Sequence, residues 1–169
     1  MVETNDILVS ENLPLIVFRV GTETYGVDIS KVREVNRLGV LETPEKMPAF
    51  VEGVMSLRTH QIPIVDLRKQ FGLALGAKQT AVSEKRIMTI ESGGILLGFL
   101  VDAVSEVVRI HRDQISAPPP LLASRIDRKY IKGVVSLDWG LLISIDIDNL
   151  FSDGEREELI NFSNNTEKI

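Results

Sequence analysis

A two-lobed, all-β fold closed by one short C-terminal helix is what this sequence predicts, and three observations predict it. Apolar, β-branched runs of strand length recur along the chain and are bounded by glycine-containing turns. One apolar frame is written twice: Ser56 to Phe71 reads SLRTHQIPIVDLRKQF, and Ser136 to Phe151 reads SLDWGLLISIDIDNLF. A convincing helix opening occurs at the end of the chain, in DGEREELINFSNN.

Taken in order, Leu13–Val20 and Thr24–Ile29 flank Gly21-Thr22-Glu23 and read as a hairpin. Ile62–Leu67 (IPIVDL) is a β-branched run of strand length. Leu73–Glu84 has no clear periodicity and reads as a connecting loop. Lys85–Ser92 and Ile95–Asp102 flank Gly93-Gly94 and form a second hairpin. Three consecutive prolines, Pro118–Pro120, exclude both a ladder and a helix interior from the segment between Ile115 and Tyr130. Ser152 or Asp153 can cap the final helix, acids crowd its first turn, and Leu159, Ile160 and Phe162 offer a partial apolar face. The strand runs are too continuously apolar for one-faced strands. Val17, Phe18, Ile64, Val65, Leu100, Val101, Ile143 and Ile145 are therefore expected in the core.

The repeat is wider than the doubled frame. Tyr25–Val35 aligns with Leu97–Val107 at an offset of 72, matching Gly26 with Gly98, Val32 with Val104 and Glu34 with Glu106. Phe50–Leu57 aligns with Tyr130–Leu137 at an offset of 80, and that offset holds through Asp66 with Asp146 and Phe71 with Phe151. The proline-rich segment absorbs the difference. Two homologous β-subdomains follow, each too small to bury much core alone and so expected to pack on the other.

Composition narrows the function. The 169 residues are 44% hydrophobic and 25% charged, an ordinary globular balance. A net charge of −5 without basic patches argues against nucleic acid. The absence of cysteine removes disulfides, thiolate zinc sites and thiol catalysis. The opening MVETNDILVSEN has no secretory pattern, and no apolar run reaches the roughly 18 residues that span a bilayer. A soluble, cytoplasmic protein without direct membrane insertion is expected.

Catalytic readings find little. His60 with Asp66, and His111 far away, make a thin ligand or general-base set. A calcium loop beginning at Asp146 would need an oxygen ligand at Leu150 and glycine at Phe151. Ser92–Gly98 is glycine-rich but joins two strands, so it is no phosphate cradle. No Ser-His-Asp arrangement with a nucleophile elbow is present. No cofactor is expected. The enzymatic alternative is a small metal-dependent enzyme or regulator using His60 and its neighbours.

The order YGVDISKVREV, PAFVEGVMSLR, IPIVDLRKQFG, GFLVDAVSEV and YIKGVVSL resembles the CheW family of chemotaxis coupling proteins, over roughly Leu13 to Ser152. The resemblance implies two SH3-like five-stranded β-barrel subdomains on a shared hydrophobic core, with a short C-terminal helix. It divides the chain into a tail at 1–12, a CheW-like domain at 13–152 and a helix and tail at 153–169. Within the domain, one subdomain spans roughly 13–80 and the other roughly 84–152, with room for strand exchange. It implies a non-enzymatic adaptor, cytoplasmic at membrane-associated receptor arrays. Its partners would be the tips of methyl-accepting chemoreceptors and the regulatory domain of a CheA-type histidine kinase. A coupling protein for a non-chemotaxis chemosensory pathway is the neighbouring reading.

The implied partner-binding residues are Val32, Glu34, Gly53, Arg58, Thr59 and His60. Arg58 stands where the second copy has Asp138, so the shared fold does not itself require a cation there. Arginine suits a binding anchor because its fork can engage a carboxylate and stack on an aromatic ring. The chain departs from the family's Asn-Leu-Arg-Gly by reading Ser56-Leu57-Arg58-Thr59, which strains the turn if that glycine takes positive φ. The first loop, Arg58–Gln61, is expected to face solvent and set specificity. In the second loop, Trp139 and Leu141 are expected to be at least partly covered. Asp66 and Asp146, present in both copies, read as structural acceptors at turns.

Overall fold

The structure is a computed structural model that describes residues 12–73, 84–120 and 126–167. Its strands are β1 (Asn12–Val20), β2 (Glu23–Asp28), β3 (Val32–Arg37), β4 (Val51–Leu57) and β5 (His60–Asp66), followed by β6 (Arg86–Ser92), β7 (Ile95–Val101) and β8 (Ala103–His111). A two-residue β9 (Ile115–Ser116) precedes β10 (Ile131–Leu137) and β11 (Gly140–Ile145). Helix is confined, among the longer elements, to one turn, α1 (Leu67–Gln70), and to α2 (Asp153–Glu167). Both predicted hairpins form, as β1–β2 and β6–β7. Most of the expected Leu73–Glu84 loop, residues 74–83, lies outside the described residues.

The strands make two sheets, ordered β8-β1-β2-β11-β10-β9 and β3-β6-β7-β5-β4. The repeat explains both. With β1, β2, β3, β4 and β5 as one copy and β6, β7, β8, β10 and β11 as the other, the two orders are identical apart from β9, a sixth strand beyond the five expected. The equivalence extends to register. Ile64 pairs with Gly98 in parallel where Ser144 pairs with Gly26. The bulge between Val32 and Glu34 recurs in the β1–β8 pairing, and the one between Val51 and Gly53 recurs between Ile131 and Gly133.

The sheets, however, are not the contiguous stretches 13–80 and 84–152. Each takes its hairpin from one copy and its remaining strands from the other, so β1–β2 joins β8, β10 and β11, while β6–β7 joins β3, β4 and β5. The crossing from β2 to β3 takes one 3-10 turn, Ile29–Lys31, which carries the chain from one sheet into the other.

Strands buried on two sides account for the continuous apolar runs. Ile62, Ile64 and Ile87 pack into a cluster belonging to one sheet, and Leu15, Val17 and Leu142 into the corresponding cluster of the other. Their alternate neighbours Phe18, Val65, Met88, Val101, Ile143 and Ile145 meet in a larger core shared by both sheets. Of the eight residues expected inside, Leu100 alone is half-buried, and it packs on the cluster around Ile64. Phe18, Tyr25, Phe71 and Tyr130 form a chain of ring contacts through the shared core, with centroids 5.8, 5.1 and 5.9 Å apart.

A buried ion pair marks the crossing. Asp102, between β7 and β8, accepts from Arg68 Nε and Nη2 at 3.2 and 2.9 Å and from the Gly21 N–H of the β1–β2 turn at 2.6 Å. Helix α2 opens with a reciprocal cap. Ser152 Oγ accepts from the Glu155 N–H at 3.1 Å, and Glu155 Oε1 accepts from the Ser152 N–H at 2.9 Å. Leu159 and Phe162 are buried beneath α2, whereas Ile160 is exposed.

Candidate partner-binding face

Three of the six expected residues come together at one end of the sheet built from β3, β6, β7, β5 and β4. Arg58 sits in the β4–β5 turn, and its Nη1 lies 3.3 Å from Glu34 Oε2 on β3. The arginine side chain is 78% exposed and the glutamate 27%. Asn36 Nδ2 donates to Glu34 Oε1 at 2.6 Å and holds the carboxylate toward the turn. His60, exposed at the start of β5, joins Arg58 and Glu34 around a cavity of about 260 Å³.

The bulge in β3 creates this arrangement. In a regular strand Val32 and Glu34 would share a face. The register shift instead pairs Val32 with Ile90, on the shared-core side, and Glu34 with Thr89, on the opposite side. Val32 is thus half-buried against the core while Glu34 reaches the cavity. Gly53 is also apart from the cavity. A Cβ there would lie 2.8 Å from the Glu42 carbonyl oxygen and 3.1 Å from Leu41 Cβ, so glycine is required by the close passage of residues 41–42 over β4. Thr59 is exposed in the turn beside Arg58.

The strain expected at Thr59 falls one residue earlier. Arg58 has φ 57° and is the non-glycine residue with positive φ among those described. In the second copy the corresponding turn places the positive φ, 144°, at Gly140, the counterpart of His60. The two turns therefore differ in backbone as well as in side chains. The counterparts of Arg58 and Glu34 are Asp138 and Glu106, two acids that cannot form the same pair. Trp139 is 50% exposed, and Leu141 is half-buried against the shared core.

Sequence reasoning missed Thr89 and Arg33. Thr89 is buried, lines the cavity, and its hydroxyl has no hydrogen-bond partner among the described residues. The offset of 72 places Val17 at its counterpart, so a polar residue replacing an apolar one was the available signal. Arg33, the extra residue of the bulge, pairs with Glu91 at the cavity wall.

The enzymatic alternative gains no geometry. His60 and Asp66 occupy opposite ends of β5, about 20 Å apart at the rise of a strand. No group of three or more metal-ligating side chains occurs among the described residues. Asp66 has a structural part: its Oδ1 caps α1 by accepting from the Arg68 N–H at 2.9 Å. Asp146 instead accepts from Asn149 Nδ2 at 2.7 Å. Burial, reinforced by the nearby Glu52, pushes the Asp66 carboxyl above its ordinary 3.8 despite the opposing pull of the cap bond.

Comparison with known proteins places this geometry among relatives. The family model for the CheW-like domain matches residues 14–155. Chemotaxis protein CheW of Treponema pallidum is 32% identical over 154 residues, covering 89% of this chain and 89% of that protein. Chemotaxis protein CheW of Klebsiella aerogenes is 32% identical over 142 residues, covering 83% and 82%. The crystal structure of the scaffolding protein TtCheW from Thermoanaerobacter tengcongensis superposes with a TM-score of 0.72 at 34% identity, covering 83% of this chain and 88% of that one.

Proposed function

The chain belongs to the CheW family, and from that premise we propose that it couples chemoreceptor tips to the regulatory domain of a CheA-type histidine kinase. It is a chemotaxis scaffold of two SH3-like lobes. In this reading it acts without catalysis, in the cytoplasm at receptor arrays. No helix among the described residues is long and apolar enough to cross a membrane, so attachment would come through partners.

The observation that carries the reading is the exposed Arg58–Glu34 pair beside His60 over a cavity of the β3-β6-β7-β5-β4 sheet. Arg58 is held by a partner 3.3 Å away yet keeps most of its surface for contact. Glu34, Arg58, Thr59 and His60 form the binding face in this reading, with Val32 and Gly53 shaping it from beneath.

Co-sedimentation of purified kinase and this chain with receptor-bearing membranes tests the face. Arg58→Ala is expected to stay folded and to weaken partner binding by about 2 kcal/mol, near thirtyfold. A folded variant that binds as tightly as the parent removes Arg58 and its cavity from the interface.

A further inference from the structure

A second concave surface lies elsewhere, between residues 45–50 and helix α2, and none of the Arg58 cavity residues line it. We propose that this groove docks a cationic amphipathic helix from a protein partner. The inference goes beyond the coupling role assigned to the Arg58 face and does not rest on it.

The groove has a volume of about 740 Å³ and an apolar floor of Met47, Phe50 and Phe162. Met47 and Phe50 are only half-buried although they pack on the shared core, so apolar surface remains open to an occupant. Three carboxylates line the walls, Glu45, Glu155 and Glu158, against one ammonium, Lys46. Glu155 is partly used in the cap of α2. Glu45 and Glu158 are exposed, and neither forms an ion pair among the described residues. An apolar floor between unpaired acids is complementary to a helix with leucine-like residues on one side and lysine or arginine at the edges.

The shape also favours a helix. Glu155, Glu158, Phe162 and Asn165 are spaced three or four residues apart and follow one side of α2. That side runs for roughly 15 Å, the length of about three helical turns.

The test uses the full chain, isotopically labelled and titrated by NMR at low salt with a synthetic amphipathic peptide of leucine and lysine. Its leucine–glutamate twin is the control. The expected result is saturable shifts concentrated at Met47, Phe50, Asn161 and Asn165 with the cationic peptide, and none there with the anionic one. Glu158→Lys is expected to raise Kd about tenfold, whereas Glu157→Lys, on the exposed side of α2 and outside the groove, changes it less than about twofold. Glu45→Lys on the opposite wall repeats the measurement should Glu158→Lys disturb the helix. Equal effects at 157 and 158, shifts spread over the whole acidic surface, or no saturable binding would each overturn the proposal. Because Arg58→Ala leaves these residues untouched, failure here and failure of the Arg58 face are separate results.

Discussion

At the scale of single residues, Arg58 combines a functional side chain with an unfavourable backbone. A non-glycine residue in the left-handed region costs about 1–2 kcal/mol, and Arg58 sits there at φ 57°. Glycine would remove that cost while adding freedom to the unfolded chain worth about 0.5–1 kcal/mol. Arg58→Gly is therefore expected to stabilise the protein by up to about 1 kcal/mol in urea unfolding while binding partners as poorly as Arg58→Ala. Thr59→Gly removes no positive φ and should be neutral or slightly destabilising. Should Thr59→Gly stabilise and Arg58→Gly not, the strain has been assigned to the wrong residue. The sequence alone pointed to Thr59, because a family pattern with glycine at that position suggests where positive φ belongs. It does not reveal that in this turn the left-handed residue lies one position earlier, at Arg58. Thr89 was hidden for a related reason: a threonine inside an apolar strand looks like an ordinary β-former, and the apolar Val17 at its counterpart in the repeat was the signal passed over.

At the scale of elements, strands and caps were largely legible, and bulges were not. Hairpin glycines, β-branched runs and the Ser152–Glu155 capping pattern all act locally, so the sequence carries them directly. The bulge between Val32 and Glu34 is a matter of pairing with β6, and no local signal at Arg33 announces it. Without it Val32 and Glu34 would share one face; with it Val32 turns toward the shared core and Glu34 toward the cavity. The short α1 offers a test of a cap in a half-buried setting. Burial raises the Asp66 carboxyl above 3.8, so the folded state holds that proton more tightly than the unfolded state does. Stability from this group is greatest below 3.8 and falls as pH rises through the raised folded value, because ionisation then costs desolvation. Asp66→Asn keeps a capping oxygen and removes the charge. Urea unfolding at several pH values should show the asparagine variant gaining on the parent between about pH 4 and neutrality, with the two closest at acid pH. A gap that widens toward acid would contradict the assigned direction.

At the scale of the whole molecule, the repeat was readable but its assembly was not. Offsets of 72 and 80 identify two copies, and an alignment cannot say whether a hairpin pairs within its copy or across to the other. The strand order answers this: across Ile29–Lys31 the chain passes from one sheet directly into the other. The shared core then draws Phe18, Tyr25, Val65, Met88, Phe99 and Ile143 from both copies, and Asp102 ties the β1–β2 turn to α1 through Gly21 and Arg68. Neither sequence half contains a complete sheet. A chain cut between Leu73 and Glu84 would give a first fragment holding β1–β5, with its hairpin lacking β8 and β11 and its other strands lacking β6 and β7. The strands on each side of the cut would expose unpaired edges and the apolar faces that now meet in the shared core. Each fragment alone is therefore expected to be unfolded or aggregated, with poorly dispersed amide spectra, and an equimolar mixture should recover the spectrum of the intact protein. The intact chain should accordingly unfold in one cooperative transition by both tryptophan fluorescence, which reports Trp139 in one sheet, and far-ultraviolet circular dichroism, which reports both. A fragment that folds alone, or a fluorescence midpoint displaced from the dichroism midpoint, would mean that the lobes are independent and that the hairpin exchange does not bind them into one folding unit.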